Sequence, residues 1–148
     1  KPWFNDMDFH IVGDGALFEE TLRPLQGVEN VKIERRFLSQ NEIASLHKEY
    51  GIFLTPTRMD AQGVSRDEAM SSGLVPITNS VAAIPEFVDE DCGVLVPAED
   101  ARAIANGIER LFENPDLFVS LSRGAAARVR NQSAQKIVVE QELSQFIE

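Results

Sequence analysis

Apolar and polar positions change period in blocks along this chain, and each block predicts an element. Residues 8–13 form a short apolar run that stops at Gly13-Asp14-Gly15. Residues 16–26 then place Leu17, Leu22 and Leu25 at helical spacing. Residues 31–34 alternate as a half-buried strand does. After Phe37 and Leu38, Ser39 and Glu42 have the spacing of a capping box, which starts a helix through Ile43, Leu46 and His47 that Gly51 can end. Residues 52–55 read as a buried strand stopped by Pro56. A polar loop follows, and Ser65 and Glu68 repeat the capping-box spacing at the head of a short helix ending near Gly73. Residues 74–78 predict a strand, residues 84–88 a helical turn, and residues 93–96 another strand. From Asp100 the pattern is helical, with Ile104, Ile108, Leu111 and Phe112 on one face. Asn114-Pro115-Asp116 breaks it. A second helix runs through Leu117, Leu121 and Val129, and a third through Ile137, Leu143, Phe146 and Ile147. Strands alternating with helices across short loops predict an α/β fold: a Rossmann-like doubly wound parallel sheet with additional C-terminal helices. In such a sheet ligands bind at the carboxyl ends of the strands.

Composition narrows the function classes. The 148 residues include 14 Lys and Arg against 24 Asp and Glu, a formal net charge of −10. With no clustered basic stripe, that balance argues against nucleic acid as a partner, because phosphate neutralisation supplies most non-specific affinity there. A chain of this length buries about 70% of its unfolded surface, enough for one domain with a core. The single cysteine, Cys92, excludes an internal disulfide or a multi-cysteine zinc site and makes a cytoplasmic location the expectation. No apolar run approaches the roughly 20 residues of a membrane helix. The two histidines lie far apart in sequence, so no metal site is expected: His10 reads as a packed strand residue and His47 as an exposed helical one. Cys92, beside Asp89, Glu90 and Asp91, has no basic neighbour in sequence to make it a nucleophile; the acidic run reads as a solvated turn.

The candidate chemistry lies in the loops that follow the strands. Gly13 and Gly15 mark a tight turn but lack the third glycine of a dinucleotide fingerprint, since Phe18 stands at that spacing. The segment from Arg58 to Met70 is the richest. Gly63 before a helix lets backbone approach a ligand, and the free amides of that helix terminus favour an anion such as a diphosphate. Asp60 and Glu68 bracket this point and can accept hydrogen bonds from a polyol. Each has a plainer reading: Glu68 as the third residue of a capping box, Asp60 as a solvated loop carboxylate, Arg58 and Arg66 as surface arginines.

Asp60, seven residues, then Glu68, with Gly63 between them and Glu68-Ala69-Met70-Ser71-Ser72-Gly73-Leu74-Val75-Pro76-Ile77 after them, resembles the E-x7-E signature of retaining glycosyltransferases of family 4. These enzymes have the GT-B fold. Phe9 to Gly15 is similar to the family's "ivGdG" strand and turn, Phe37-Leu38 to its base-contacting turn, and Pro56-Thr57 to its "PS" pair. Ile84-Pro85-Glu86-Phe87-Val88 and Gly93-Val94-Leu95-Val96 are similar to "ipE.v" and "tG.lv".

The resemblance implies that residues 1–148 form one donor-binding domain, the C-terminal half of a GT-B enzyme, without its opening strand and helix and without the N-terminal acceptor domain. It implies a nucleoside diphosphate sugar as substrate, no cofactor and no metal. The acceptor, a glycan, lipid or protein, would bind through the other half, which could also sit peripherally at a membrane face. By position, Asp60 corresponds to the acid near the donor sugar and Glu68 to the acid on the ribose. Gly63, Val64 and Ser65 correspond to the diphosphate loop, Phe37 and Leu38 to the base site, and Gly13 and Gly15 to the glycine turn. Asp60 is one methylene shorter than the family's usual Glu, and Val81-Ala82-Ala83 stands where the family has a Gly-Gly turn. The family's opening segment also carries an Arg and a Lys for the diphosphate, a role Arg58 and Arg66 could partly take. Two other readings remain: a GT-B-fold nucleotide-sugar epimerase, and a non-catalytic binding or scaffold module. In the family strand order 3-2-1-4-5-6, removing strand 1 separates two strands from three, a gap the Lys1 to Asp6 segment or a neighbouring chain could fill.

Overall fold

The computed structural model describes residues 1–133 and 135–146. The chain forms two compact units, Lys1–Ser45 and Leu46–Glu148. In the first, Pro2–Asp6 is a 3-10 turn and not a strand; Trp3 is buried, and Phe4 stacks on Phe9 with ring centroids 5.1 Å apart. Asn30 ties this turn down, its Nδ2 donating to the carbonyls of Phe4 at 2.6 Å and Met7 at 2.8 Å. β1 (Phe9–Gly13) and β2 (Val31–Arg35) pair in parallel, with Gly13 opposite Arg35. The helix predicted over residues 16–26 is shorter. α1 covers only Phe18–Leu22 and gives way to a 3-10 turn at Arg23–Leu25, where Pro24 supplies no N–H to continue the helix. α2 (Gln40–Leu46) begins with the predicted capping box: Glu42 Oε2 accepts from Ser39 N at 2.8 Å and from Ser39 Oγ at 2.7 Å.

In the second unit β3 (Ile52–Thr55), β4 (Val75–Asn79) and β5 (Val94–Val96) form a parallel sheet in that order, with β4 in the centre and buried along its whole length. The strands thus hydrogen-bond as two sheets of two and three, the division given by order 3-2 and 4-5-6. α3 (Val64–Ser71) connects β3 to β4 and α4 (Ile84–Phe87) connects β4 to β5. A Schellman arrangement closes α3: Gly73, at φ 86°, donates to Met70 O at 2.9 Å and Leu74 N donates to Ala69 O at 3.1 Å. α5 (Ala101–Glu113) is capped by Asp100, whose carboxylate accepts from Ala103 N at 2.8 Å. It buries Ile108 and Leu111 of the predicted stripe and leaves Phe112 exposed. α6 (Pro115–Gln132) packs on α3 and β4, and α7 (Gln135–Gln145) follows, with Ile147 of the predicted third helix outside the described residues. The core joins Met70 of α3, Ile84 and Val88 around α4, Cys92, and Ala125 of α6. No helix among the described residues is long and apolar enough to cross a membrane.

Candidate functional site

Each unit presents its candidate residues at the carboxyl end of its own parallel strands. In the first unit Gly13 ends β1, and Gly15 follows in the turn. Neither has a positive φ, and a Cβ built on either meets nothing within 4 Å, so both leave open space above the turn. Asp14 Oδ1 closes the turn by accepting from Gly15 N and from Arg35 Nε, each at 2.8 Å. The Arg35 guanidinium holds the Asp14 carboxyl below the usual range and lies 5.6 Å from the Phe18 ring centre.

Past β2, Arg36 bridges Glu34 and Glu42, both at 2.7 Å. Glu34 is drawn down to about 2 by hydrogen bonds from Lys32, Arg36 and His10; Glu42 reaches about 2 through the Ser39 amide and hydroxyl, then Arg36. These bonds frame the turn in which Phe37 stands 80% exposed and Leu38 half-buried. His10 is packed as expected, its Nε2 2.8 Å from Glu34 Oε1.

In the second unit the loops after all three strands are tied together by one buried side chain. Asn79, at the end of β4, accepts from Thr57 N at 2.9 Å through Oδ1 and donates from Nδ2 to Pro97 O at 2.8 Å. Arg58 is exposed and pairs with Glu99 at 2.5 Å. Asp60 is half-buried in the same loop. The chain enters α3 through Gly63, at φ 70°, a left-handed turn in which L side chains are strained.

This entry corrects the capping box expected at Ser65 and Glu68. Gly63, not Ser65, is the N-cap, and no side chain caps α3. Ser65 is already helical, and Glu68 is the fifth helical residue, too far along to reach back to the cap. The Val64 and Ser65 amides therefore head the helix without a side-chain acceptor, and the Glu68 side chain has no hydrogen bond among the described residues. At Val81-Ala82-Ala83, Ala82 holds a positive φ of 47°, a left-handed conformation reached without glycine.

Three other expectations are corrected. Arg66 is not a surface arginine; it is 1% exposed, because its position relative to Ala69 and Met70 puts it on the inward face of α3. Its Nε and Nη2 donate to Asp67 Oδ1 at 3.2 and 3.0 Å, and its guanidinium lies 4.9 Å from the Phe87 ring centre. His47 is not an exposed helical residue. It sits in the turn after α2, 8% exposed and edge-on to Phe53 at 6.1 Å; burial pushes its imidazole below the ordinary value, opposed in part by Glu68. The acidic run is not wholly solvated either, since Asp89 pairs with Arg128, while burial pushes the Cys92 thiol up.

Asn79, Asp67 and Ser133, which donates to Asp67 Oδ2 at 3.1 Å, escaped the sequence reading. The i, i+3, i+4 relation of Arg66 to Ala69 and Met70 was the one signal that could have exposed the buried pair.

Parallel strands, crossover helices and loop residues gathered at the strands' carboxyl ends define an α/β Rossmann-like fold of the kind that builds the halves of GT-B proteins. The family model described as "Glycosyl transferases group 1" matches residues 2–114, and the chain belongs to this glycosyltransferase family. It is 30% identical over 118 residues to a D-inositol 3-phosphate glycosyltransferase of Streptomyces bingchenggensis, covering 77% of this chain and 26% of that one. The fold superimposes on S. aureus TarM, solved as a point mutant in complex with Fondaparinux, alpha-GlcNAc-glycerol and UDP, with a TM-score of 0.81 at 18% identity; the match covers 98% of this chain and 30% of that one. For a sucrose-phosphate synthase from Thermosynechococcus elongatus the TM-score is 0.76 at 22% identity, covering 93% and 38%. The chain spans between about a quarter and two fifths of the curated relatives it matches.

Proposed function

We propose that this chain is the donor-binding part of a retaining, metal-independent glycosyltransferase that moves a sugar from a nucleoside diphosphate to an acceptor hydroxyl, in glycan or polysaccharide synthesis. The observation that carries the reading is the α3 entry: an uncapped helix N-terminus behind a left-handed glycine, with Asp60 before it and Glu68 one turn in. Uncapped amides and the helix dipole favour the diphosphate, and family membership supplies the reaction class. A relative of the same fold was solved with UDP.

In this reading the Gly63, Val64 and Ser65 backbone receives the diphosphate, Glu68 accepts hydrogen bonds from the ribose hydroxyls, and Asp60 orients the sugar. Arg58 adds positive charge on the phosphate side by exchanging its Glu99 partner for the diphosphate. The bond from the anomeric carbon to the diphosphate oxygen breaks as the acceptor oxygen forms its bond on the same face, and the acceptor proton passes to the departing phosphate. No metal or cofactor enters this scheme. The acceptor binds a part of the enzyme outside these residues, so the chain alone binds donor without transferring sugar.

Calorimetric titration with UDP, GDP and ADP and with the corresponding nucleosides tests the reading. At least one diphosphate binds, and its nucleoside binds at least tenfold more weakly. Absence of binding by all three diphosphates and by their glucose conjugates refutes the donor site, and sugar transfer by the 148-residue chain alone refutes the division of labour.

A further inference from the structure

The buried Arg66 is at an unusual address for a cation: inside the first turn of the helix whose N-terminus is assigned to the phosphates. Asp67 takes its Nε and Nη2, and Asp67 is itself held through its other oxygen by Ser133 at the end of α6. The Phe87 ring of α4 lies against the guanidinium. Nη2 has a further acceptor, the Gln62 carbonyl at 2.5 Å, which belongs to the loop and not to the helix. Nη1 is buried and has no hydrogen-bond partner among the described residues. It lies directly against Gly63, since a Cβ built there would fall 2.7 Å from both Cζ and Nη1.

A buried cation normally needs every donor met, and leaving one unmet is costly. The arrangement persists because the guanidinium does two things at once. It fills the space beneath the glycine turn, and it fixes the carbonyl preceding that turn. A lysine ammonium is a point donor and cannot span Asp67 and Gln62 in the same fork.

We propose that Arg66 is a positioning residue for the donor site: anchored to α4 and α6, it sets the Gln62 to Gly63 turn and thereby aims the Val64 and Ser65 amides at the diphosphate. The inference rests on the donor reading above for the identity of the anion, but not for the mechanics of the turn. It also accounts for glycine at position 63, where any side chain would meet the guanidinium as well as the strained φ.

Arg66→Lys tests it, together with the double variant Arg66→Met, Asp67→Asn, which leaves neither charge buried alone. The readouts are calorimetric affinity for UDP, GDP and ADP, hydrogen exchange of the residue-67 amide, which donates to the Gly63 carbonyl at 3.0 Å, corrected for intrinsic rates, and the melting temperature. The proposal expects at least a tenfold loss of diphosphate affinity well below the melting transition and at least tenfold faster exchange at residue 67, with exchange in β4 unchanged. A merely structural Arg66 would lower the melting temperature and leave both the affinity and the residue-67 exchange at wild-type values, which overturns the proposal. If the wild-type chain binds neither the diphosphates nor their glucose conjugates, the donor reading fails by itself. The exchange data then decide the positioning role: faster exchange at residue 67 with β4 unchanged upholds it, and unchanged exchange overturns it.

Discussion

Glu68→Ala separates a ligand carboxylate from a structural one. Glu68 is half-buried at the fifth position of α3, and its side chain makes no hydrogen bond among the described residues. The contacts made by its backbone carbonyl, which accepts from Ser71 Oγ at 2.7 Å and Ser72 Oγ at 3.3 Å, survive truncation. Alanine is the best helix former, so the variant gains a few tenths of a kcal/mol in propensity. The attraction of Glu68 for His47 requires a protonated imidazole, which burial disfavours, so little is lost there at neutral pH. The net change in stability is therefore within about 0.5 kcal/mol, or a melting shift of roughly 1–2 °C for a chain of this size.

Binding responds differently. A hydrogen bond to an ionised carboxylate contributes about 1.5–3 kcal/mol, and the ribose offers two hydroxyls. A conservative total of about 2–3 kcal/mol, at 1.4 kcal/mol per factor of ten, gives roughly a 30- to 150-fold rise in Kd. The assay is calorimetric titration of wild type and variant with whichever of UDP, GDP or ADP binds best, alongside thermal denaturation. An affinity within threefold of wild type refutes the assignment of Glu68 to the ribose. A melting temperature lowered by about 3 °C or more with unchanged affinity would make Glu68 a stabilising residue instead.

Gly124→Ala places a methyl carbon 1.9 Å from the Asp91 carbonyl oxygen; despite a helix-propensity gain of about 1 kcal/mol, overpacking against backbone makes the net loss about 2 kcal/mol, measurable by urea denaturation. Gly107→Ala, whose nearest contact is Val94 Cγ1 at 3.2 Å, is the control and is far better tolerated. Ala82→Gly relieves a left-handed alanine worth about 1–2 kcal/mol, less about 0.4–1 kcal/mol of added freedom in the unfolded chain, so it is neutral to stabilising by about 1 kcal/mol in the same assay. Acid weakens the Lys1–Ser45 unit. Glu34 and Glu42 titrate at about 2 in the fold against an ordinary 4.5, so their contribution is complete above about pH 4.5 and is lost as the pH falls toward 2. Hydrogen exchange of β2 from pH 5 to 2.5, corrected for intrinsic rates, should show protection falling; constant protection refutes the ion-pair account.

Local chemistry was legible where the determining interactions are close in sequence. Ser39 and Glu42 form the capping box that their spacing announces, because both partners lie within one helical turn. The same spacing misled at Ser65 and Glu68, since Gly63 starts α3 two residues earlier and places Glu68 beyond reach of the cap. The strand and helix order followed from hydrophobic periodicity, and α1 fell short because Pro24 ended it.

By itself, the sequence determined the parallel α/β class, the loops that carry the candidate residues, and, through the Asp60 to Glu68 spacing with its flanking glycines, membership of the glycosyltransferase group 1 family. The tertiary structure alone decided which polar side chains are structural. Arg66 and Asp67 are charged neighbours that read as solvated, yet α4 and α6 close over them, and Asn79 joins loops separated by 18 and 22 residues. Burial depends on which elements pack together from far along the chain, and a buried polar group must then find its partners there; neither fact is written in the local pattern.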